Sequence, residues 1–136
     1  MPLEIGRRER EGIEILDLKG RLTFGHEDIC FREELSRLEQ AGTSRVVLNL
    51  NGVSEMDTTG LGTLLFAFTK LQKAGGGLAL VDLNRSHISV LVKARLEVVF
   101  DVFKEDHDAI NSFFPERDVQ CYDILEFIEA ERTSPK

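Results

Sequence analysis

Between residues 46 and 81 the chain sets two short, mainly apolar runs, Val46-Val47-Leu48-Asn49-Leu50 and Leu78-Ala79-Leu80-Val81, on either side of one amphipathic stretch. Runs of that length, rich in branched side chains, read as strands buried on both faces, the habit of parallel sheets. In the stretch between them, Leu61, Leu64, Leu65, Phe68 and Leu71 recur at helical spacing after Asp57-Thr58-Thr59, and Gly75-Gly76-Gly77 follows as a stop. Two parallel strands joined through a helix need a right-handed crossover and a sheet covered by helices.

The flanking sequence extends the same plan. Leu3-Glu4-Ile5 and the set Ile13, Ile15, Leu16 and Leu18 read as two strands of a hairpin turning near Gly12. From Asp28 to Gln40, Phe31, Leu35 and Leu38 mark an amphipathic helix that Gly42 ends. Asn51 to Gly62, reading NGVSEMDTTGLG, is expected to be a polar loop that turns into the central helix. Asn84-Arg85-Ser86 caps a third helix carrying Ile88, Leu91 and Val92, Val98 to Phe103 reads as a last strand, and Asp106 to Phe113 as a short helix. Pro115 then separates a piece, 119–131, whose Ile124, Leu125, Phe127 and Ile128 suggest a further helix. The expected class is α/β: a single domain over 1–114 with a mostly parallel mixed sheet, opened by a β-hairpin and flanked by helices. Residues 115–136 are expected to form a C-terminal helical extension and polar tail.

Charge narrows the function classes. Residues 1–96 carry 13 acidic and 13 basic side chains and residues 97–136 carry 11 and 4, so the whole net charge of −7 falls in the last forty positions. With no basic stripe, no Trp and a single Tyr, direct nucleic acid binding is not expected. The longest apolar run, Leu64 to Phe68, is far below the roughly 20 residues of a membrane span, so no membrane span is expected. The N-terminus runs into Arg7-Arg8-Glu9-Arg10 without the apolar core of a secretory signal, and the expected compartment is the cytoplasm. Cys30 and Cys121 lie outside any paired metal-ligand spacing and read as reduced thiols, and no cofactor or metal is expected.

Candidate chemistry is sparse. Gly75-Gly76-Gly77 follows a helix and opens a strand, the reverse of a phosphate cradle. His26, His87 and His107 stand in no ligand spacing, and no Ser or Cys pairs with a His in a nucleophile motif, so catalytic residues are not expected and the chain reads as a non-enzyme. What remains is the start of the central helix. Asp57 and Thr58 either simply cap it or present a hydroxyl where exposed amides and the positive dipole end would tolerate an added phosphate. On the helical wheel Gly62, Phe66 and Lys73 fall opposite the core stripe. Phe66 therefore either packs on a neighbouring helix or anchors a binding surface, with Gly62 leaving room for another chain.

The run VVLNLNGVSEMDTTGLGTLLFAFTKLQKAGGGLALVDL resembles the STAS domain family, in its anti-sigma factor antagonist branch, where an apolar strand leads through a D-S/T-x-G-L-G turn into an amphipathic helix. Gly20-Arg21-Leu22 is similar to the family's G-x-L lead into the first helix, and VFDVFKEDHDAINSF to its closing strand and helix, so the likeness covers roughly residues 3–114. The resemblance implies a small protein that binds an anti-sigma factor acting also as a serine/threonine protein kinase, with a serine/threonine phosphatase as a further partner. It implies Thr58 as phosphoacceptor, with Asp57, Thr59 and Gly60 as the phosphorylation loop; together with the outward face of the helix, Leu61, Gly62, Phe66 and Lys73 are the expected partner-binding residues. The alternative within the same fold is an interaction scaffold that is not phosphorylated, of the stress-complex or lipid-transport-associated kind. Three positions depart from the family pattern: Thr58 where antagonists usually carry Ser, Thr23 where an acidic residue is usual, and Arg95 where Gly often stands.

Overall fold

The computed structural model describes residues 3–96 and 98–117, and the 119–131 helix expected from sequence lies outside them. Five strands, β1 (Glu4–Arg10), β2 (Ile13–Leu22), β3 (Arg45–Met56), β4 (Gly77–Val81) and β5 (Asp101–Phe103), alternate after the hairpin with α1 (His26–Gln40), α2 (Thr58–Lys73) and α3 (Arg85–Lys93), and α4 (Asp106–Asn111) follows β5. They form one sheet in the order β1-β2-β3-β4-β5. β1 is antiparallel to β2, and every later pair is parallel. The expected α/β class, hairpin opening and mostly parallel sheet are all present.

Because the strand order never reverses, successive right-handed crossovers put α1, α2 and α3 on one face. Alternation along the strands divides the core accordingly. Leu16, Leu18, Val46, Leu48, Leu50, Leu78, Leu80 and Val102 pack beneath the three helices. Ile13, Ile15, Val47, Ala79, Val81 and Phe103 face the other way, against Ala109 and Ile110 of α4. Arg8 of β1 donates to Asp17 (2.7 and 2.8 Å) and to Asp106 (2.8 Å), which fastens the start of α4 to the hairpin.

Two expectations are corrected. The polar stretch after Leu50 is not a loop: β3 runs on to Met56, because β2 continues beside it, pairing Lys19 with Gly52, Gly20 with Val53 and Leu22 with Met56 across two register shifts. A side chain at Gly52 would come within 2.7 Å of the Leu18 carbonyl, so the irregular ladder needs glycine there. The last strand is shorter than expected. Residues 98–100 are spent in a turn, with the Val99 amide donating to Leu96 (3.0 Å), and only 101–103 pair with β4. Val98 is left 77% exposed.

His87 is one of the three histidines weighed above, and its role is structural. Its amide donates to Asn84 Oδ1 (2.9 Å), while its Nδ1 accepts from the Asn84 amide (3.1 Å), so α3 begins in a reciprocal cap. With Nδ1 accepting, the ring proton sits on Nε2, which donates to Val53 O at 2.8 Å and ties α3 to the end of β3. Burial outweighs the favourable carbonyl and pushes the His87 imidazole below its ordinary value. No helix among the described residues is long and apolar enough to cross a membrane.

The three long helices end alike. The amides of Thr43, Gly76 and Leu96 reach back to the carbonyls of Leu38, Leu71 and Leu91 (3.0, 2.9 and 2.9 Å), the double-turn stop in which the preceding residue takes a left-handed conformation. Gly42 and Gly75 fill that place in α1 and α2 at φ 79° and 86°, whereas in α3 it falls to Arg95 at φ 60°. A left-handed β-carbon costs about 1–2 kcal/mol, offset in part by the entropy glycine gives up. Arg95→Gly should therefore raise stability by about 0.5–1 kcal/mol in urea unfolding with an unchanged m-value; a loss of stability would refute this account of the helix stop.

Candidate functional site

The central helix starts where Asp57 leaves β3. Asp57 is in an extended conformation and acts as the N-cap of α2: its Oδ1 accepts from the Gly60 amide (2.9 Å) and its carbonyl from the Leu61 amide (3.0 Å). Its second oxygen does something a simple cap does not. Oδ2 accepts from the Phe24 amide at 3.0 Å, so one carboxylate holds both the loop after β2 and the first turn of α2. The Asp57 amide in turn donates to the Leu22 carbonyl (3.3 Å). Partial burial acts to raise the Asp57 pKa, but the amides of Gly60, Phe24 and Thr59, with its own, outweigh it and hold the carboxyl below the ordinary carboxylate range.

Gly60 has a steric task in the same turn. A β-carbon there would drive into the Leu22 carbonyl, so α2 rests directly on the backbone at the end of β2. Thr58 and Thr59 come just before this contact. Thr58 is exposed at the first helical position, Thr59 is half-buried and Leu61 is buried in the core. Leu61, assigned above to partner binding, is thus a packing residue in the free protein.

One turn further along, Thr63 is fully buried and its hydroxyl lies 2.5 Å from Asp28 Oδ1 of α1 and 3.2 Å from the Thr59 carbonyl. The other Asp28 oxygen accepts from Arg32 Nε (2.9 Å). Arg32 in turn reaches over the ring of Phe66 at 5.9 Å, with Lys70 on the same ring at 5.1 Å. Phe66 is 50% exposed between these cations and does not enter the sheet core. A β-carbon at Gly62 would meet nothing within 4 Å, so bare backbone faces outward beside it.

Sequence reasoning missed two members of this surface, Phe24 at 78% and Ile29 at 54% exposure. Ile29 carried a signal, since it stands off the Phe31-Leu35-Leu38 stripe of its own helix. Phe24 carried none, and only the hydrogen bond to Asp57 brings it to α2. Ile29 and Arg32 both line a shallow depression on α1, and Arg32 also reaches the Phe66 ring. Lys73 is exposed too but stands apart: fifteen residues of helix put it roughly 22 Å along the axis from Thr58. A small acidic group, Glu105, His107 and Asp108, lies at the start of α4, far along the chain from this surface, and is largely exposed.

The sheet order, the Asp57 turn and the helix it starts can be set against known proteins. A profile described as STAS domain matches residues 4–109. The chain belongs to the STAS domain family. It is similar to a protein of Paenibacillus polymyxa named anti-sigma F factor antagonist, at 24% identity over 110 residues that make up 81% of this chain and 94% of that one. Its fold is that of an anti-sigma factor antagonist from Mycobacterium paratuberculosis, with a TM-score of 0.73, 15% identity and coverage of 82% and 93% of the two chains. It is also recognisable in the Bacillus cell fate determinant SpoIIAA in its phosphorylated form, with a TM-score of 0.63, 19% identity and coverage of 80% and 98%.

Two glycines of this STAS helix make opposite predictions. Gly60→Ala should destabilise the domain by about 1–3 kcal/mol by forcing α2 off the Leu22 carbonyl, whereas Gly62→Ala, in open space, should stabilise it by up to about 1 kcal/mol through helix propensity. Thermal melts of the two variants check this, and shifts of the same sign would contradict the packing described.

The clamp also has a pH signature. Since the folded-state pKa of Asp57 is lowered, its contribution is fully present above the unfolded value of about 3.9 and is lost as pH falls through the folded one. Asp57→Ala should cost about 1–2 kcal/mol at pH 7, and the gap to wild type should narrow as unfolding is measured at progressively more acid pH. A gap independent of pH would show that the charged carboxylate is not what holds the turn.

Proposed function

We propose that this protein is an anti-sigma factor antagonist whose binding is switched by phosphorylation of Thr58. The observation that carries the reading is the placement of Thr58: exposed, at the first position of α2, directly after the carboxylate that clamps the loop. Support comes also from the names of the similar proteins, one of which has been solved in a phosphorylated form. The partner is an anti-sigma factor that also acts as a serine/threonine kinase, and a phosphatase restores the unmodified state. The chain acts by binding rather than by catalysis.

The geometry suits such a switch. A phosphate on Thr58 adds a charge of about −1.5 to −2 at the amide-rich end of α2, where the helix dipole favours it, so the free protein keeps its fold. In the complex the same charge has to be desolvated against a surface shaped for a neutral hydroxyl, and about 2.7 kcal/mol of penalty lowers affinity a hundredfold. Phe66, Gly62, Phe24 and Ile29 supply the apolar area on which the partner closes, with Leu61 beneath it. Asp57 stays next to the acceptor as the residue that holds the turn, and Thr59 and Gly60 shape it.

Incubated with its cognate kinase and ATP, the protein should take one phosphate, at Thr58, and Thr58→Ala should abolish the labelling. Thr58→Glu should bind the partner far more weakly in calorimetry with a near-native Tm, while Thr58→Ala still binds. Phe66→Ala should weaken binding by about 1 kcal/mol or more and cost far less stability than the roughly 3–5 kcal/mol of a core Phe. Equal affinity of wild type and Thr58→Glu would sink the switch and leave a constitutive scaffold.

A further inference from the structure

The end of β3 is held differently by its two neighbours. Pairing with β4 stops at Asn49 and Val81, while pairing with β2 runs on to Met56 through an irregular ladder. Past that point the Val53 carbonyl is taken by α3, accepting from His87 Nε2 at 2.8 Å and from Asn84 Nδ2 at 3.5 Å. Val53 stands four residues before Asp57, so this contact lies on the segment that delivers the clamp.

Both ring nitrogens of His87 are committed. The residue is fully buried, its Nδ1 accepts from the Asn84 amide (3.1 Å), and its own amide donates to Asn84 Oδ1 (2.9 Å). Only a neutral ring can do this. An imidazolium has two donors and no acceptor, so its Nδ1–H would face the N–H of Asn84, and the first turn of α3 would lose half of its cap. The charge would also sit in a buried site. Burial opposes it more strongly than the Val53 carbonyl and the charge of Asp82, exposed in the loop before α3, favour it. α3 packs chiefly on β3 and α2, and neither brings an unengaged carboxylate. β3 carries Arg45 at its far end and Glu55, which pairs with Arg21 at 3.0 Å, and α2 carries only Lys70 and Lys73 in its last turn. The other charged residues of α3, Arg85 and Lys93, are cations.

We propose that His87 is an acid-released latch: a proton on its ring detaches the start of α3 from Val53 and loosens the end of β3 that leads to Asp57 and Thr58, ahead of the rest of the sheet. The latch is complete in the free protein and does not rest on the antagonist reading, so either can fail alone. Because the neutral ring is the folded form, its stabilisation is fully present above the ordinary histidine value of about 6.5 and is lost as pH falls through the lowered folded one. That window opens well above the carboxylate range in which the Asp57 clamp is lost.

The test is amide hydrogen exchange of the full chain by NMR from about pH 7.5 to 5.5, corrected for the intrinsic pH dependence of exchange, with the His87 ring followed by its nitrogen shifts. At the upper pH the ring should show the Nε2–H tautomer. Below about pH 6.5 the opening that exposes the Asn84, His87 and Asp57 amides should become up to about tenfold more populated per pH unit. These amides should also exchange faster than those of Leu48 and Leu80 in the sheet core. His87→Gln, whose side-chain carbonyl can accept from Asn84 without titrating, should flatten the slope. A flat slope in the wild type, or one that persists in His87→Gln, would overturn the latch. Exchange of the three amides at the rate of Leu48 and Leu80 would overturn it too, since the opening would then be global, and that comparison needs no variant.

Discussion

The carboxylate of Asp57 is the contact on which the geometry of the Thr58 end depends. One oxygen accepts the Gly60 amide and starts α2, and the other accepts the Phe24 amide and holds the loop that leads into α1. A single side chain thereby sets the relative position of two helices that begin at adjacent parallel strands. The hydrogen bonds that do this also favour the charged carboxylate, so holding the turn and staying ionised have the same physical source. Gly60 completes the arrangement, because only a residue without a β-carbon lets α2 settle on the Leu22 carbonyl.

From that joint the α1/α2 layer takes on two different characters. Near the clamp it is tight and polar inside, with the buried Thr63 hydroxyl against Asp28 and the apolar side chains Phe24, Ile29 and Phe66 turned outward. Further along, a pocket of about 470 Å³ lined by Ser36, Ala67 and Ala74 among others lies between the two helices, and the Glu39–Lys70 pair spans it. Arg32 and Phe66 belong to both regions. Arg32 is anchored at Asp28 and reaches the Phe66 ring, and both line the pocket, so the exposed face and the pocket meet at one aromatic side chain.

Much of this was legible because the relevant signals are local. Helical spacing in Leu61 to Leu71 located α2, and the Asn84 cap located α3, since periodicity and capping depend on residues only a few positions apart. The glycine stops of α1 and α2 were equally clear. Arg95 was marked only as a departure from the family pattern, and its meaning came with its left-handed backbone. Errors fell where pairing overrode composition: residues 51–56 look like a loop, yet form strand because β2 lies alongside them. Val98-Val99-Phe100 have strand composition but are spent in a turn, with the Val99 amide on the Leu96 carbonyl, and pairing with β4 starts only at Asp101.

The sequence alone determined the order and kind of the elements, the two faces of the core and the position of Thr58 after a capping aspartate. Tertiary structure decided which residues surround that position. Phe24 and Asp57 are 33 residues apart, and Asp28 and Thr63 are 35 apart. No periodicity links such pairs, because their approach is set by strand register and by how closely two helices can sit on one sheet. The cavity between α1 and α2 is of the same kind. Each wall reads as an ordinary amphipathic helix, and the space appears only once the two are placed side by side, where the summed volume of their facing side chains falls short of the gap.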